Sequence, residues 1–369
     1  MPLRCARPPL VIAELGVNHD GEESRALGLV EAAARAGADA VKLQLFRAPL
    51  LLSRAARLAE YQARAGERDP AEMLGRLELG PRSMARVIER AHAAGLHAVV
   101  TVFSLELVAP AAALGFDAFK FASPDLVNLP LLRAVAGATG KRPLILSTGA
   151  ASRAEVARTL RWLGDEHDRL ALLQCVSSYP TRPRDASLAA LRDLARLFGG
   201  PLGYSDHTTG EDTGALAVAC GARILEKHLT LDPGAPGPDH AASLDPEGFA
   251  RYVALARAAR VGTPETGSAD VRLGPPAKRV LACERDVRRL SRQSVVPRRD
   301  LGAGHVLTRG DLTVKRPGTG IPAWRLEAVI GRALARAVEG DVPLRASDLA
   351  AYGGSGRGGR ARDREAGPA

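Results

Sequence analysis

Two histidines, His207 and His228, end two short apolar runs, PLGYSDH and ARILEKHLT, and TTGEDTGALAVACG lies between them. That middle segment has helical spacing of apolar residues, with Thr and Asp capping candidates at its start and Gly221 at its close. A strand–helix–strand unit crosses over right-handed and lays its strands parallel. Both imidazoles then leave neighbouring strand ends on one edge of a sheet. Paired neutral imidazoles form a borderline divalent-metal site, and two protein ligands leave positions open for water or substrate. Open positions suit catalysis rather than structure. One histidine at a strand end is usually structural; two of them, beside Asp206, Glu226 and Lys227 and followed by PGPDH, make a functional pair as good a reading as a structural one.

Two lysines point the same way. Lys42 in AVKLQLF and Lys120 in FDAFKFAS sit inside apolar runs. A buried lysine costs about several kcal/mol unless an anion meets it. Either lysine alone is best read as half of a structural ion pair. Both together, near Ser and Thr hydroxyls, predict a phosphate or carboxylate site. The polar residues at the run ends are Glu14, Gln44, Thr101, Ser123, Asp125, Ser147, Ser177, Tyr179 and Ser205.

The elements that must position them are eight strand-like runs: LVIAELGVNH, AVKLQLF, LHAVVTVFS, FDAFKFAS, PLILSTG, RLALLQCV, PLGYSDH and ARILEKHLT. Segments of helical period, such as SRALGLVEAAARAG, alternate with them. Near-continuous apolar strands separated by helices predict an α/β fold, a (β/α)8 TIM barrel, with the polar run ends gathered on its catalytic face. The stretch from Arg47 to Gly80 is too long for a plain loop and should cover that face. We divide the chain into a barrel at 1–263, a linker at 264–285 rich in Gly and Pro, and a small β-rich domain at 286–351. A Gly/Arg-rich tail at 352–369 reads as disordered.

Composition excludes several classes. The formal charge of +10 is concentrated from Arg285 onwards, where 13 Lys and Arg face 7 Asp and Glu up to Ala351. Such a module could bring cations to an anionic small molecule. With 4% aromatic residues the chain lacks stacking platforms for nucleic acid, so no nucleic-acid partner is expected. The four scattered cysteines fit neither a disulfide framework nor a zinc knuckle, which suits a reducing cytoplasmic compartment. No apolar run approaches the roughly 20 residues of a membrane span.

The motifs IAELGVNHDG, VKLQ, FKFASPD, ILSTG, YPT, GYSDHT, LEKHLT and PGPDHAASLDP, taken in order, make the chain resemble the sialic acid synthases. VLTRGDLTVKRPGTGIP resembles the SAF, or antifreeze-like, domain fused to those barrels. The resemblance implies condensation of phosphoenolpyruvate with an N-acyl hexosamine, N-acetylmannosamine or a bacterial diamino-hexose, to give a nonulosonic acid. It implies a divalent ion on His207 and His228, typically Mn2+, with Mg2+ or Co2+ as alternatives. Phosphoenolpyruvate would be held by Lys42, Gln44, Thr101, Lys120, Ser123 and Ser205, with Ser147, Ser177 and Tyr179 completing the substrate-binding set. Glu14 and Asp239 would face the sugar or the attacking water, and Glu14, Asp125 and Asp239 are all candidates to activate that water. Arg316 of KRPGTG would reach across a domain-swapped homodimer to the N-acyl group in the partner's barrel.

The pattern has departures. Val102 stands where the family often has proline, ASPD stands where N-acetylneuraminate synthases have GSGE or GSGD, and Ser177 takes a familiar asparagine position. ASPD is nearer the synthases for diamino sugars. Two other readings are another phosphoenolpyruvate aldol synthase, against which KRPGTG argues, and a non-catalytic sugar-binding or ice-binding protein. The scattered arginines make a poor ice-binding face.

Overall fold

All eight expected strands form, and they close on themselves in chain order. In this computed structural model, which describes residues 9–262 and 270–350, β1 (Leu10–Gly16), β2 (Ala40–Leu45), β3 (His97–Val102) and β4 (Ala118–Phe121) are followed by β5 (Leu144–Ser147), β6 (Leu170–Cys175), β7 (Leu202–Asp206) and β8 (Ile224–His228). Every pairing is parallel, and β1 pairs with both β2 and β8. Two-residue alternation decides which side chains turn inward. Ile12, Ala40, Val99, Ala118, Ile145 and Ile224 join in a dry layer that plugs the barrel floor. Two residues further along each strand come Glu14, Lys42, Thr101, Lys120, Ser147 and Glu226. The registers set Glu14 beside Lys42, Thr101 beside Lys120 and Ser205 beside Glu226. A charged layer thus rests directly on an apolar one.

The outer faces of the strands are covered by helices such as Glu23–Arg35 and Pro81–Ala93, which bury Leu29, Val30, Met84 and Val87. Between β7 and β8 the helix runs from Thr213 to Ala219, shorter than the capping residues suggested. Asp212 makes no cap bond and instead pairs with Arg272 at 2.6 Å. Gly221 behaves as expected, with φ of 102° after the last turn. The stretch from Arg47 to Gly80 forms three short helices, Ala48–Leu51, Glu60–Arg64 and Pro70–Arg76, over the strand ends. Among the described residues no helix is long and apolar enough to cross a membrane.

The C-terminal domain is a two-stranded antiparallel sheet, β9 (Ser294–Pro297) and β10 (Leu312–Lys315), with turns packed on Val295, Leu307, Leu312, Leu326 and Leu344. The expected flexible linker differs from what is found. Its described part, from Asp270 onwards, is a strap laid on the barrel. Leu188 and Ala189 donate their N–H groups to the carbonyls of Arg272 and Leu273, and Lys278 and Glu284 are buried. Backbone pairing and two buried charges explain why a Pro- and Gly-rich segment is held. The expected tail at 352–369 lies outside the described residues.

Beyond the strap, Arg288 grips both oxygens of Glu155 at 2.8 and 2.9 Å, and Arg292 adds a bond of 2.8 Å. Burial would raise the Glu155 carboxyl, but the two guanidinium groups overturn this and hold it far below its ordinary value of 4.5. A carboxyl depressed in the folded state stabilises above its unfolded pKa, and that stabilisation fades as pH falls through 4.5 and below. Glu155→Gln should therefore weaken seating of the C-terminal part at neutral pH by about 1–2 kcal/mol after solvent screening. Proteolysis of wild-type protein should accelerate in acid and that of the variant less so. Parallel pH curves for the two proteins would refute the assignment.

Candidate active site

The polar layer opens into a cavity at the C-terminal ends of the strands. Its floor is two buried ion pairs. Lys42 is bonded to Glu14 and also donates to Thr101 Oγ1 at 3.2 Å. Lys120 lies 3.1 Å from Glu226, which accepts a hydrogen bond from Ser205 at 2.8 Å. Burial opposes the charge on Lys42, but Glu14 and Glu226 outweigh it and hold the lysine cationic. Burial likewise works against the Glu226 carboxylate, and Lys120 and Lys42 pull its pKa down. Glu14 is different. Burial dominates there and raises its carboxyl despite Lys42, with the charge of Glu226 adding to the rise.

The position of Glu14 depends on a bulge. The β1–β2 register slips between Glu14 and Gly16, and Gly16 has φ of 54°. A Cβ there would come within 3.0 Å of Glu14 Oε1 and 3.3 Å of Asp239 Oδ2. Glycine is what lets the two carboxylates and Gln44 approach each other, and Gln44 Nε2 donates to Glu14 Oε1 at 2.8 Å.

The histidines meet as expected, with ring centroids 5.5 Å apart. His207 Nδ1 donates to the Val176 carbonyl at 2.7 Å, so in the neutral ring Nε2 carries the lone pair. His228 Nδ1 is buried without a hydrogen-bond partner and lies 3.8 Å from Asp239 Oδ2. Burial, followed by the nearby His207, keeps His228 neutral by lowering its pKa well below the ordinary range. Burial and the charge of Glu14 raise the Asp239 carboxyl to about 6. Tyr179 stacks on His207 at 4.1 Å and on Tyr61 at 5.0 Å, which roofs the cavity.

Thirteen of the fifteen expected site residues line this cavity, and Asp125 and Ser147 do not. The chain makes a tight turn at Ser123–Val127 that puts Pro124 on the wall and Asp125 behind it. There Asp125 Oδ1 accepts from Asn128 Nδ2 at 3.1 Å and Gln293 Nε2 at 3.2 Å. Asp125 therefore holds the C-terminal domain rather than facing substrate. Ser147 ends β5 as a buried hydroxyl without a partner.

Arg316 also departs from expectation. It enters the mouth of its own chain's barrel, because the strap sets the second domain on that barrel. Its backbone N–H donates to Leu51 at 2.9 Å, its carbonyl accepts from Ser53, and its guanidinium lies 5.3 Å from the Phe103 ring. Wall residues unassigned from sequence include Tyr61, Gln62, Phe103, Cys175 and Glu226. Glu226 was legible, since it stands two residues before His228 on the same strand. Tyr61 and Gln62 sit in the irregular insertion, where no period marks them.

Residues 29–264, more than half of the chain, match the NeuB family. The chain belongs to that family. Residues 292–350 match the SAF domain, the assignment expected for the basic C-terminal module. Over 331 residues the chain is 37% identical to N,N'-diacetyllegionaminic acid synthase of Legionella pneumophila, covering 88% of this chain and 90% of that protein. The Campylobacter jejuni protein of the same name is 35% identical, covering 88% and 95%. Among solved structures, the spore coat polysaccharide biosynthesis protein SpsE of Bacillus subtilis superposes with a TM-score of 0.77 at 26% identity, covering 94% of this chain and 97% of that one. This NeuB-family chain has relatives named as synthases of legionaminic, neuraminic and pseudaminic acids.

Proposed function

We propose that this chain condenses phosphoenolpyruvate with the open-chain aldehyde of an N-acyl amino sugar, releasing phosphate and forming a nonulosonic acid. The observation that carries the reading is the floor of the cavity. Two buried lysines and two imidazoles share one chamber with carboxylates that can exchange protons.

Phosphoenolpyruvate brings a phosphate and a carboxylate to Lys42 and Lys120, and anionic oxygens take over the contacts that Glu14 and Glu226 now make. The enol carbon C3 attacks the aldehyde carbon and forms the new C–C bond. Water adds at C2, the C2–O bond to phosphate breaks, and inorganic phosphate leaves. Asp239 is the best-placed base for that water. Its carboxylate faces the cavity, accepts no hydrogen bond among the described residues and is raised to about 6. Glu14, pushed up by burial, is the neighbouring proton store. Arg316, with its guanidinium over the Phe103 ring, is the donor for an amide carbonyl of the sugar.

The histidines suit a divalent ion, because the lone pair of His207 Nε2 and the unpartnered His228 nitrogen both lie at the cavity wall. Among the described residues no group of three or more His, Cys, Asp and Glu could hold a metal, so water and substrate would complete its shell. We take Mn2+ as the ion, with Mg2+ or Co2+ as substitutes. Bound there, a divalent cation supplies the positive charge that an aldehyde oxygen needs as it becomes an alkoxide. Cys175, Cys220 and Cys283 are free thiols, which fits a reducing cytoplasm.

The test is phosphate release from phosphoenolpyruvate with Mn2+ and a panel of N-acylated mannosamines and diamino-hexoses. No release with any sugar would reject the function.

We also propose that two copies exchange their C-terminal parts, which would re-form the same Arg316 contacts between subunits. Arg316→Ala and His207→Ala proteins, each inactive, should regain a fraction of normal activity when subunits are mixed and exchanged. Mixed dimers that stay inactive would show that Arg316 serves its own barrel.

A further inference from the structure

Ala150, just after β5, has φ of 50°, a conformation that non-glycine residues rarely adopt. Its peptide groups are gripped on both sides by the segment that leads into the SAF domain. The Ala150 N–H donates to Glu284 Oε1 at 2.6 Å, while its carbonyl accepts from Arg288 Nη1 at 2.6 Å and Arg292 Nη2 at 3.1 Å. The same Glu284 oxygen accepts the N–H of Ser177, after β6, at 2.9 Å. Its second oxygen accepts the N–H of Leu281 at 2.8 Å. Glu284 is 0% exposed and does not line the cavity. Among the described residues no cation pairs with it within 4.0 Å. Three backbone donors carry its charge.

The two loops that Glu284 ties together hold one corner of the cavity. Gly149 donates its N–H to Ser123 Oγ at 2.9 Å. A Cβ on Gly149 would fall 2.4 Å from Ser177 Oγ and 2.8 Å from Ser123 Oγ, so these groups have no slack. Ser177 Oγ is buried and has no hydrogen-bond partner among the described residues. A small shift of either loop would separate hydroxyls that must act on one anion.

We propose that Glu284 is a positioning residue for the phosphate-bearing substrate. It clasps the backbone of Ala150 to that of Ser177, presets Ser123 and Ser177 for an anion beside Lys120, and makes that corner depend on seating of the strap. The substrate named here rests on the function proposed above. A residue that never touches substrate can still cost affinity when it lets binding groups drift.

The full-length protein tests this with two variants. Glu284→Ala deletes the clasp, whereas Glu284→Gln keeps an Oε1 that can accept from both loops. In Glu284→Ala, amide exchange at 147–151 and 175–178 should speed up together by at least about tenfold. The Michaelis constant for phosphoenolpyruvate should rise about tenfold, with kcat and the constant for the sugar changed less than about threefold. Glu284→Gln should restore most of both. Exchange that accelerates in neither loop, or in only one, overturns the clasp. Faster exchange with an unchanged constant for phosphoenolpyruvate overturns the positioning role. Should Glu284→Ala not fold, Glu284→Asp, which keeps the charge but draws the carboxylate back from both loops, carries the same comparison. A wild-type protein that neither binds nor uses phosphoenolpyruvate removes the proposed function and this substrate with it, and amide exchange then judges the clasp alone.

Discussion

His228→Ala is expected to lower turnover at saturating Mn2+ by at least about a hundredfold, since a two-imidazole site that loses one ligand keeps little hold on its ion. The loss should appear first in the metal. Free Mn2+, followed by its paramagnetic signal, should bind the wild type and fail to bind the variant at the same concentration. The fold should survive, because His228 Nδ1 makes no hydrogen bond whose loss would leave a partner stranded. His207→Ala should behave alike for the metal and cost little more stability, because the Val176 carbonyl that it releases still accepts from the Ser178 N–H at 3.0 Å and Thr181 Oγ1 at 3.4 Å. A His228→Ala protein that kept metal-dependent turnover would overturn the metal assignment.

Lys120→Met is expected to raise the Michaelis constant for phosphoenolpyruvate far more than that for the sugar. One charged contact to phosphate or carboxylate is worth about 1.5–3 kcal/mol, or roughly 10- to 150-fold in affinity. The variant also strands Glu226 in a buried site, which by itself can cost about 3–5 kcal/mol of stability. The two effects separate in the double variant Lys120→Met with Glu226→Gln. Melting should recover there, because the uncompensated charge is gone, while affinity for phosphoenolpyruvate should not. If the double variant regained affinity too, Lys120 would be a structural partner of Glu226 and nothing more. Equal rises for both substrates in the single variant would also count against the assignment.

Much of the site was legible because a barrel strand has two rules, alternation along it and function at its C-terminal end. Lys42, Lys120, His207 and His228 each break an apolar run, and a buried charge or imidazole in such a place needs a reason. Once eight runs alternate with helices, parallel pairing and closure bring those four residues onto one face without further information. The same alternation predicts that Glu226 points inward with His228. It was passed over because a glutamate near a strand end is read first as solvated.

Other features left no mark in the sequence. Asp125 carries the same polar signal as Ser123, and a single tight turn decides that one faces the cavity and the other faces Gln293 of the SAF domain. The Gly- and Pro-rich stretch before the SAF domain has the composition of a flexible linker. It is a strap because the Lys278 N–H donates to the Asp193 carboxylate and Glu284 accepts from the N–H groups of Ala150 and Ser177, partners on the barrel more than 80 residues away in the chain.

The sequence by itself determined the fold class, the end of the barrel that carries chemistry, and the residue types that carry it, since periodicity and the cost of burying charge act locally along the chain. Only the tertiary structure decided which carboxylates pair with which lysines, which acid was left free to take a proton, and where the C-terminal domain is fastened. Those outcomes turn on register, one bulge at Gly16 and hydrogen bonds between distant segments, and no local pattern encodes them.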